Sequence, residues 1–145
     1  FIQLAGEINT NMPNHILNLK SFNLNLCHKS LNGSKILILG VAYKKDIDDT
    51  RESPALDIIQ LLYNSEAIID YHDAYVPELV YNDISIHNID KLKPKKINSY
   101  DACVVVTDHS NVDYEMIYKN SKLIIDTRNV FEGKKGSHLK RLGQG

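Results

Sequence analysis

A short aliphatic run, a charged loop and a helix start follow one another in the first half of the chain and constrain its fold most. Residues 36–39 are all isoleucine or leucine, which is typical of a strand buried on both faces of a parallel sheet. Gly40 ends the run, and Ser53 followed by Pro54 is typical of the first turn of a helix. Apolar residues then recur with helical spacing up to residue 62. The sequence therefore predicts a strand, a loop and a helix of an α/β domain.

Further segments have the composition of strands and helices. The predicted strands are residues 67–71, 85–88, 102–107 and 123–126, and a short helix is predicted over residues 113–118. Strands that alternate with helices predict an α/β fold with a Rossmann-like, doubly wound parallel sheet and right-handed crossovers. Residues 91–96, where Pro94 stands among lysines, are predicted to be a solvated connector.

The two ends of the chain are predicted to differ from the sheet. Apolar residues recur every three or four positions over residues 1–31, which predicts a long helix before the sheet, with a kink near Pro13. We expect its apolar stripe to be buried against another domain or subunit, although packing on its own domain is an alternative. A ligand-binding domain is predicted over residues 32–132, and residues 133–145 are predicted to form a flexible tail.

The loop between the first strand and the helix concentrates charge. Lys44 and Lys45 are followed by further charged residues, namely Asp46, Asp48, Asp49, Arg51 and Glu52. Ligands of open α/β sheets lie beyond the carboxyl ends of the strands, and a helix N-terminus offers N–H groups to an anion. The pattern predicts a site for a phosphorylated ligand. The alternative is a solvated loop whose charges screen one another.

The ends of the other strands are predicted to lie at the same edge of the sheet. They carry polar pairs, namely His72 with Asp73, Asp108 with His109, and Thr127 with Arg128. Arg128 offers a planar fork to phosphate or carboxylate oxygens, whereas Lys44 offers a point charge. His72 and His109 are candidates for a general base, but the neighbouring aspartate can simply satisfy either ring.

Composition is that of an ordinary globular domain and gives no reason to expect nucleic acid or a membrane as partner. The 145 residues are 43% hydrophobic and 24% charged, with a formal net charge of -1. No apolar stretch approaches the roughly 20 residues that cross a bilayer, and no signal peptide is recognised. A cytoplasmic protein is therefore expected. The His, Cys, Asp and Glu residues lack metal-ligand spacing, so we predict no metal.

Several motifs in register resemble one known protein family. They are GVAYKKDIDDTRESPALDII from Gly40, FIQLAGEINTNMP at the start, and then YHDAYVPEL, YDACVVVTDHSNVDYE and KLIIDTRNVF. On these motifs the chain resembles the C-terminal, UDP-binding domain of the UDP-glucose/GDP-mannose dehydrogenase family. The resemblance is closest to bacterial UDP-N-acetylhexosamine 6-dehydrogenases of surface-polysaccharide biosynthesis. It extends to about Phe131, and one departure is Ala74, where family members commonly have proline.

The resemblance implies which residues meet the ligand. Tyr43 and Lys44 are expected at the nucleotide-sugar site. Arg128 is expected near the place where the substrate meets the nicotinamide end of NAD. The other charged residues of the motif are expected to hold the loop and cap the helix, namely Asp46, Asp49, Arg51 and Glu52, with Thr50 as a further candidate at the helix start. No catalytic residue is expected in this chain.

The resemblance also implies an activity. The family oxidises the C6 alcohol of a UDP-hexose or UDP-N-acetylhexosamine to a uronic acid with two NAD, using a cysteine that lies in a glycine-rich loop. Neither Cys27 nor Cys103 stands in such a loop, and the chain has no GxGxxG dinucleotide motif. The chain is therefore expected to be the C-terminal portion of a larger enzyme and inactive alone, with NAD bound mainly upstream.

Two further expectations concern partners and alternatives. The long helix over residues 1–31 is expected to form a homodimer, because the matching helix does so in the family. The alternative function is a stand-alone, non-catalytic nucleotide-sugar-binding or dimerisation module. Within the enzyme hypothesis the sugar stays open, with UDP-glucose and UDP-N-acetylmannosamine among the candidates.

Overall fold

The computed structural model describes residues 30–141. Strands and helices alternate along most of this part of the chain. The strands are β1 (Lys35–Leu39), β2 (Ile68–His72), β3 (Leu79–Tyr81), β4 (Ile84–Asn88), β5 (Ala102–Val105), β6 (Ile124–Asp126) and β7 (Leu139–Arg141). The helices are α1 (Pro54–Asn64), α2 (Pro94–Asn98) and α3 (Tyr114–Asn120).

The seven strands form one sheet in the order β3-β4-β2-β1-β5-β6-β7. All neighbouring strands are parallel except β3, which is antiparallel to β4. The chain winds outward from β1 to β2 on one side and returns to β5 on the other. A topological switch point therefore lies between β1 and β5, and the loops after these two strands flank it. The predicted Rossmann-like, doubly wound parallel sheet is confirmed.

Side chains of β1 point alternately into two cores. Ile36 and Ile38 pack with the apolar face of α1, whereas Leu37 and Leu39 pack with Ile97 of α2 and Ile117 of α3. None of the four β1 side chains is more than 1% exposed. Helices cover both faces of the sheet, so every side chain of residues 36–39 is buried, and each contributes about 1.5–3 kcal/mol to folding. This explains why the run contains no polar residue.

The strand predictions are confirmed to within one or two residues at most ends, but β3 was not predicted. It has three residues and is joined to β4 by Asn82 and Asp83, both in the left-handed region with φ of +49° and +65°. Two left-handed residues in succession form the tight turn that favours a hairpin, and asparagine and aspartate tolerate this conformation. The Asn-Asp pair is therefore the signal for a hairpin at this position.

Two segments predicted to be irregular contain regular structure. Residues 91–96 were predicted to be a connector, but α2 begins at Pro94 and buries Ile97 completely. The flexible tail predicted over residues 133–145 is contradicted at residues 139–141, because β7 pairs in parallel with β6. Leu139 packs against the core that contains Leu37 and Leu39, and the outer edge of β6 offers backbone groups with which β7 pairs. These two interactions hold residues 139–141 in the sheet.

The long helix predicted over residues 1–31 lies outside the described residues, apart from its last two positions. The kink near Pro13, the dimer contact and the environment of Cys27 therefore stay predictions. Gly33 forms the turn that precedes β1, with a φ of +78°. Within residues 30–141, no helix is both long and apolar enough to cross a membrane.

Candidate functional site

Tyr43 and Lys44 lie together in the loop between β1 and α1, at the carboxyl edge of the sheet. Lys44 Nζ is 5.7 Å from the centroid of the Tyr43 ring, a cation–π distance, and the Tyr43 side chain is 43% exposed. The backbone N–H of Tyr43 donates to the carbonyl of Asp49 at 2.6 Å and closes the loop on itself. The two predicted ligand residues therefore present an aromatic face and an ammonium group to solvent.

A close approach of Gly40 to Thr107 joins the loop after β1 to the loop after β5. Gly40 has a φ of +83°, and a Cβ at this position would lie 2.5 Å from both the Cβ and the carbonyl oxygen of Thr107. The hydroxyl of Thr107 donates to the carbonyl of Ala42 at 2.6 Å. Only glycine combines this backbone conformation with this contact, so Gly40 allows the loop to turn at the switch point.

The carboxylate of Asp73 connects three loops at this edge. Its Oδ2 accepts hydrogen bonds from the N–H groups of Val41 at 2.8 Å and Ala42 at 3.2 Å, and its Oδ1 accepts one from Tyr75 at 2.9 Å. The same Oδ2 is 2.8 Å from Nε2 of His109. Asp73 is 1% exposed, and these donors compensate for the burial of its charge. The ends of β1, β2 and β5 are thereby tied to one side chain.

His109 is buried at this edge, and both of its ring nitrogens have hydrogen-bond partners. Its Nδ1 accepts a hydrogen bond from the N–H of Asp46 at 2.7 Å, so the ring proton is on Nε2, which donates to Asp73. The ring centroid of Tyr75 is 4.8 Å away, and the hydroxyl of Tyr114 donates to the backbone carbonyl of His109. Both ring nitrogens are occupied, so the candidate role as a base is not supported.

His72, the other histidine considered as a base, also has a backbone partner. Its Nδ1 donates to the carbonyl of Ile89 at 2.6 Å. The partner is not the adjacent Asp73, whose oxygens are used as described above. Cys103 is fully buried, with the Ser121 hydroxyl 3.4 Å from its sulfur, which agrees with the packing role predicted for it.

Charged residues after Lys44 hold the loop, as predicted. The carboxylate of Asp46 accepts hydrogen bonds from the N–H and the hydroxyl of Ser110, at 2.8 and 2.6 Å, and these bonds lower the pKa of Asp46. Asp49 receives two side-chain hydrogen bonds from Arg51, at 3.0 and 3.1 Å. Together with the Arg51 N–H, they lower the pKa of Asp49 to about 2.

The start of α1 is capped by its own residues. The hydroxyl of Ser53 accepts from the N–H of Ala55 at 3.2 Å, and its carbonyl accepts from the N–H of Leu56 at 3.1 Å. Pro54, the first helical residue, has no N–H. Ser53 is the predicted cap, so Asp49 and Thr50 do not serve as one. The N–H groups of Ala55 and Leu56 are thus occupied within the helix start, which does not support the expectation that it offers N–H groups to an anion.

Arg128 lies in the loop after β6, which is folded around Asp126. The fully buried Asp126 carboxylate accepts hydrogen bonds from the N–H groups of Arg128, Val130 and Phe131 at 3.0–3.3 Å. Nε of Arg128 donates to the carbonyl of Val106 at 2.8 Å, at the end of β5. Its Nη groups have no hydrogen-bond partner within residues 30–141, so the exposed end of the guanidinium is available to a ligand.

A cavity of about 1010 Å³ lies elsewhere, on the sheet face beside β3, β4 and α2. Its walls include the exposed side chains of Val80, His87, Lys93 and Lys96. We favour the switch-point edge as the candidate site, because a shared buried hydrogen-bond network anchors its loops, whereas this cavity is an open groove. No group of three or more potential metal ligands occurs in the part of the chain that the structure describes.

A doubly wound parallel sheet with cationic side chains in the loops around its switch point is the arrangement of α/β domains that bind nucleotides. Residues 37–133 match the family model described as UDP-glucose/GDP-mannose dehydrogenase family, UDP binding domain. The chain belongs to this family, and the resemblance noted from its motifs is confirmed.

Individual relatives agree with this assignment. UDP-N-acetyl-D-mannosamine dehydrogenase of Methanococcus maripaludis is 31% identical over 157 residues, covering 100% of this chain and 35% of that protein. The structure of UDP-D-ManNAc dehydrogenase from Pyrococcus horikoshii has a TM-score of 0.78 at 33% identity, covering 99% of this chain and 34% of that one. NDP-N-acetyl-D-galactosaminuronic acid dehydrogenase from Methanosarcina mazei Go1 has a TM-score of 0.73 at 31% identity, covering 95% and 30%. The chain therefore spans about a third of the length of these proteins.

Proposed function

We propose that this chain is the nucleotide-sugar-binding C-terminal portion of an NAD-dependent UDP-sugar 6-dehydrogenase. In this proposal the diphosphate of the substrate binds at the edge formed by the loops after β1, β5 and β6. The observation that carries the proposal is the exposed pair of Tyr43 and Lys44 at the switch point, in a loop whose backbone is held by buried Asp73. Membership of the UDP-binding family supports the choice of ligand.

Each proposed contact has its own chemistry. Lys44 supplies a mobile point charge to the pyrophosphate, and Arg128 supplies its Nη donors, since Nε already donates to Val106. The exposed ring of Tyr43 offers a flat surface for the base or the sugar. A hydrogen bond to a charged group contributes about 1.5–3 kcal/mol, so loss of either cationic contact should weaken binding measurably. Holding the substrate in place is this portion's proposed contribution to the rate.

NAD is proposed as the oxidant of the complete enzyme, but the described residues do not fit it as its main binding site. Residues 40–53 form a long charged loop instead of a glycine-rich turn, and Ser53 caps the helix start that a dinucleotide pyrophosphate would need. Arg128 is the one residue for which we propose a contact with NAD, at its nicotinamide end. We assign no step of the oxidation to this chain and expect no turnover from it alone.

The substrate is proposed to be a UDP-N-acetylhexosamine. Support comes from the relatives named UDP-N-acetyl-D-mannosamine dehydrogenase, which include proteins 31–35% identical to this chain. A homodimer through residues 1–31 and a cytoplasmic location belong to the same proposal. Sedimentation of the full chain tests the assembly: a dimer is expected, and a monomer at high protein concentration contradicts it.

Calorimetric titration of the full 145-residue chain with UDP tests the binding function. We expect Lys44→Ala to weaken binding by about 1–3 kcal/mol, because it removes a charged hydrogen bond. Lys122→Ala is the matched control, since Lys122 is also an exposed lysine but precedes β6 and so lies at the opposite edge of the sheet. Its affinity should equal that of the unmodified chain. Equal affinities for the two variants contradict the assignment of Lys44.

A further inference from the structure

The loop that carries Tyr43 and Lys44 is fixed on both sides by one carboxylate oxygen. On the first side, Oδ2 of Asp73 accepts the N–H groups of Val41 and Ala42. On the second side, the same Oδ2 accepts from Nε2 of His109, and Nδ1 of that ring accepts the N–H of Asp46 at 2.7 Å. Only residues 43–45, the aromatic ring and the two lysines, lie between these two anchors.

The second anchor holds a backbone conformation that needs support. Asp46 has a φ of +61°, in the left-handed region, which aspartate tolerates better than most residues when its side chain is hydrogen-bonded. Three hydrogen bonds hold this conformation, namely one from the Asp46 N–H to His109 and two from Ser110 to the Asp46 carboxylate. The loop after β5 therefore contributes both supports of Asp46, from His109 and Ser110 of the separate motif YDACVVVTDHSNVDYE.

We propose that His109 is a positioning residue for nucleotide binding. In its neutral form, with the proton on Nε2, it sets the path of residues 43–45 and thereby the position of Lys44, without touching the ligand. This inference rests on the proposed function, because it assumes that Lys44 meets the diphosphate. The groups that face the ring are the carboxylates of Asp73 and Asp46 and the ring of Tyr75. A doubly protonated ring has no acceptor for the N–H of Asp46, so the neutral form is required.

Two conservative variants separate positioning from packing. In His109→Asn the carboxamide oxygen takes the place of Nδ1, so the acceptor for the Asp46 N–H is kept and the donor to Asp73 is lost. In His109→Gln the amide nitrogen takes the place of Nε2, so the donor is kept and the acceptor is lost. Each variant loses one hydrogen bond and some buried volume, and comparable losses of thermal stability are expected from both.

UDP titration of the unmodified chain and both variants decides the question. We expect His109→Gln to bind UDP about tenfold more weakly than His109→Asn, the change that corresponds to one lost hydrogen bond. Equal UDP affinities in the two variants overturn the inference while leaving the proposed function intact. Failure of the unmodified chain to bind UDP overturns the proposed function, and the inference falls with it.

Nitrogen NMR of the unmodified chain gives a second test that does not depend on the folding of any variant. The expected spectrum shows His109 with a bare Nδ1 and a protonated Nε2, and a scalar coupling across the hydrogen bond from the Asp46 amide to Nδ1. This coupling should persist when UDP is added, because the loop is already in its binding conformation. A proton on Nδ1, or loss of the coupling on addition of UDP, overturns the inference.

Discussion

Replacing Gly40 with alanine tests how closely the end of β1 approaches the loop after β5. An added Cβ would lie 2.5 Å from the Cβ and the carbonyl oxygen of Thr107 and 2.9 Å from its Cα. Two of these atoms are backbone atoms, so a change of side-chain rotamer cannot relieve the overlap. Gly33 is the matched control, because it has a similar φ of +78° but no atom within 4 Å of the added Cβ.

The two substitutions share one cost and differ in the other. Placing alanine in the left-handed region costs about 1–2 kcal/mol, partly offset by the stiffer unfolded chain, so we expect Gly33→Ala to lower the unfolding free energy by about 1 kcal/mol. Gly40→Ala adds the cost of overpacking, about 1–3 kcal/mol, for a total of about 2–4 kcal/mol. The overlap also pushes the loop that carries Tyr43 and Lys44 away from Thr107. The affinity for UDP should therefore fall in Gly40→Ala and stay unchanged in Gly33→Ala.

Urea unfolding of the full chain, followed by circular dichroism, measures both costs. The midpoint should fall further for Gly40→Ala than for Gly33→Ala, with the same slope for both, since neither variant changes the surface exposed on unfolding. If the unfolding free energies of the two variants agree within about 0.5 kcal/mol, the close approach of Gly40 to Thr107 is wrong.

Two further predictions concern buried polar groups at the sheet. Asp73→Ala leaves three backbone N–H groups and the His109 ring without their acceptor, and we expect a loss of at least about 3 kcal/mol in urea unfolding. Asp57→Ala, at an exposed position of α1, is the control and should change stability by less than about 0.5 kcal/mol. Burial raises the pKa of Tyr71 from 10.0 to about 12. Its neutral hydroxyl therefore stabilises the fold fully below pH 10, and this contribution is lost as the pH rises towards 12. Tyrosinate absorbance recorded with circular dichroism should show this ionisation together with unfolding, and ionisation of every tyrosine near pH 10 in the folded chain contradicts it.

The central part of the fold could be predicted because local residue choice and tertiary environment agree there. The aliphatic run of β1 reflects a strand covered on both faces, and Ser53-Pro54 marks the start of α1 because the cap is local. The edge strands β3 and β7 were missed for the same physical reason. Each pairs with a single neighbour at an edge of the sheet and lacks the run of fully buried residues from which β6, also three residues long, was predicted.

One motif predicts which side chains are exposed at the candidate site. The buried hydrogen bonds that hold its loops could not be predicted. The place of Lys44 at this edge follows from its loop after a buried strand, whereas the expectation that Tyr43 and Lys44 meet the nucleotide sugar came from the family resemblance and stays a prediction. The contact between Asp73 and His109 joins residues 36 positions apart, and it depends on β1 lying between β2 and β5. The sequence alone shows that Asp73 and His109 are polar and that each follows a predicted strand. It does not show that they meet, or that Asp126 organises the loop that orients Arg128.

NMR can show directly whether UDP binds at the switch-point edge of the sheet. Amide chemical shifts of the full chain are recorded during a titration with UDP. We expect saturable shifts in the loops after β1, β5 and β6, around Lys44, His109 and Arg128, with little change at Lys122. Shifts confined to the groove beside β3, β4 and α2, or no shift at all, contradict the claim that the switch-point edge binds the nucleotide.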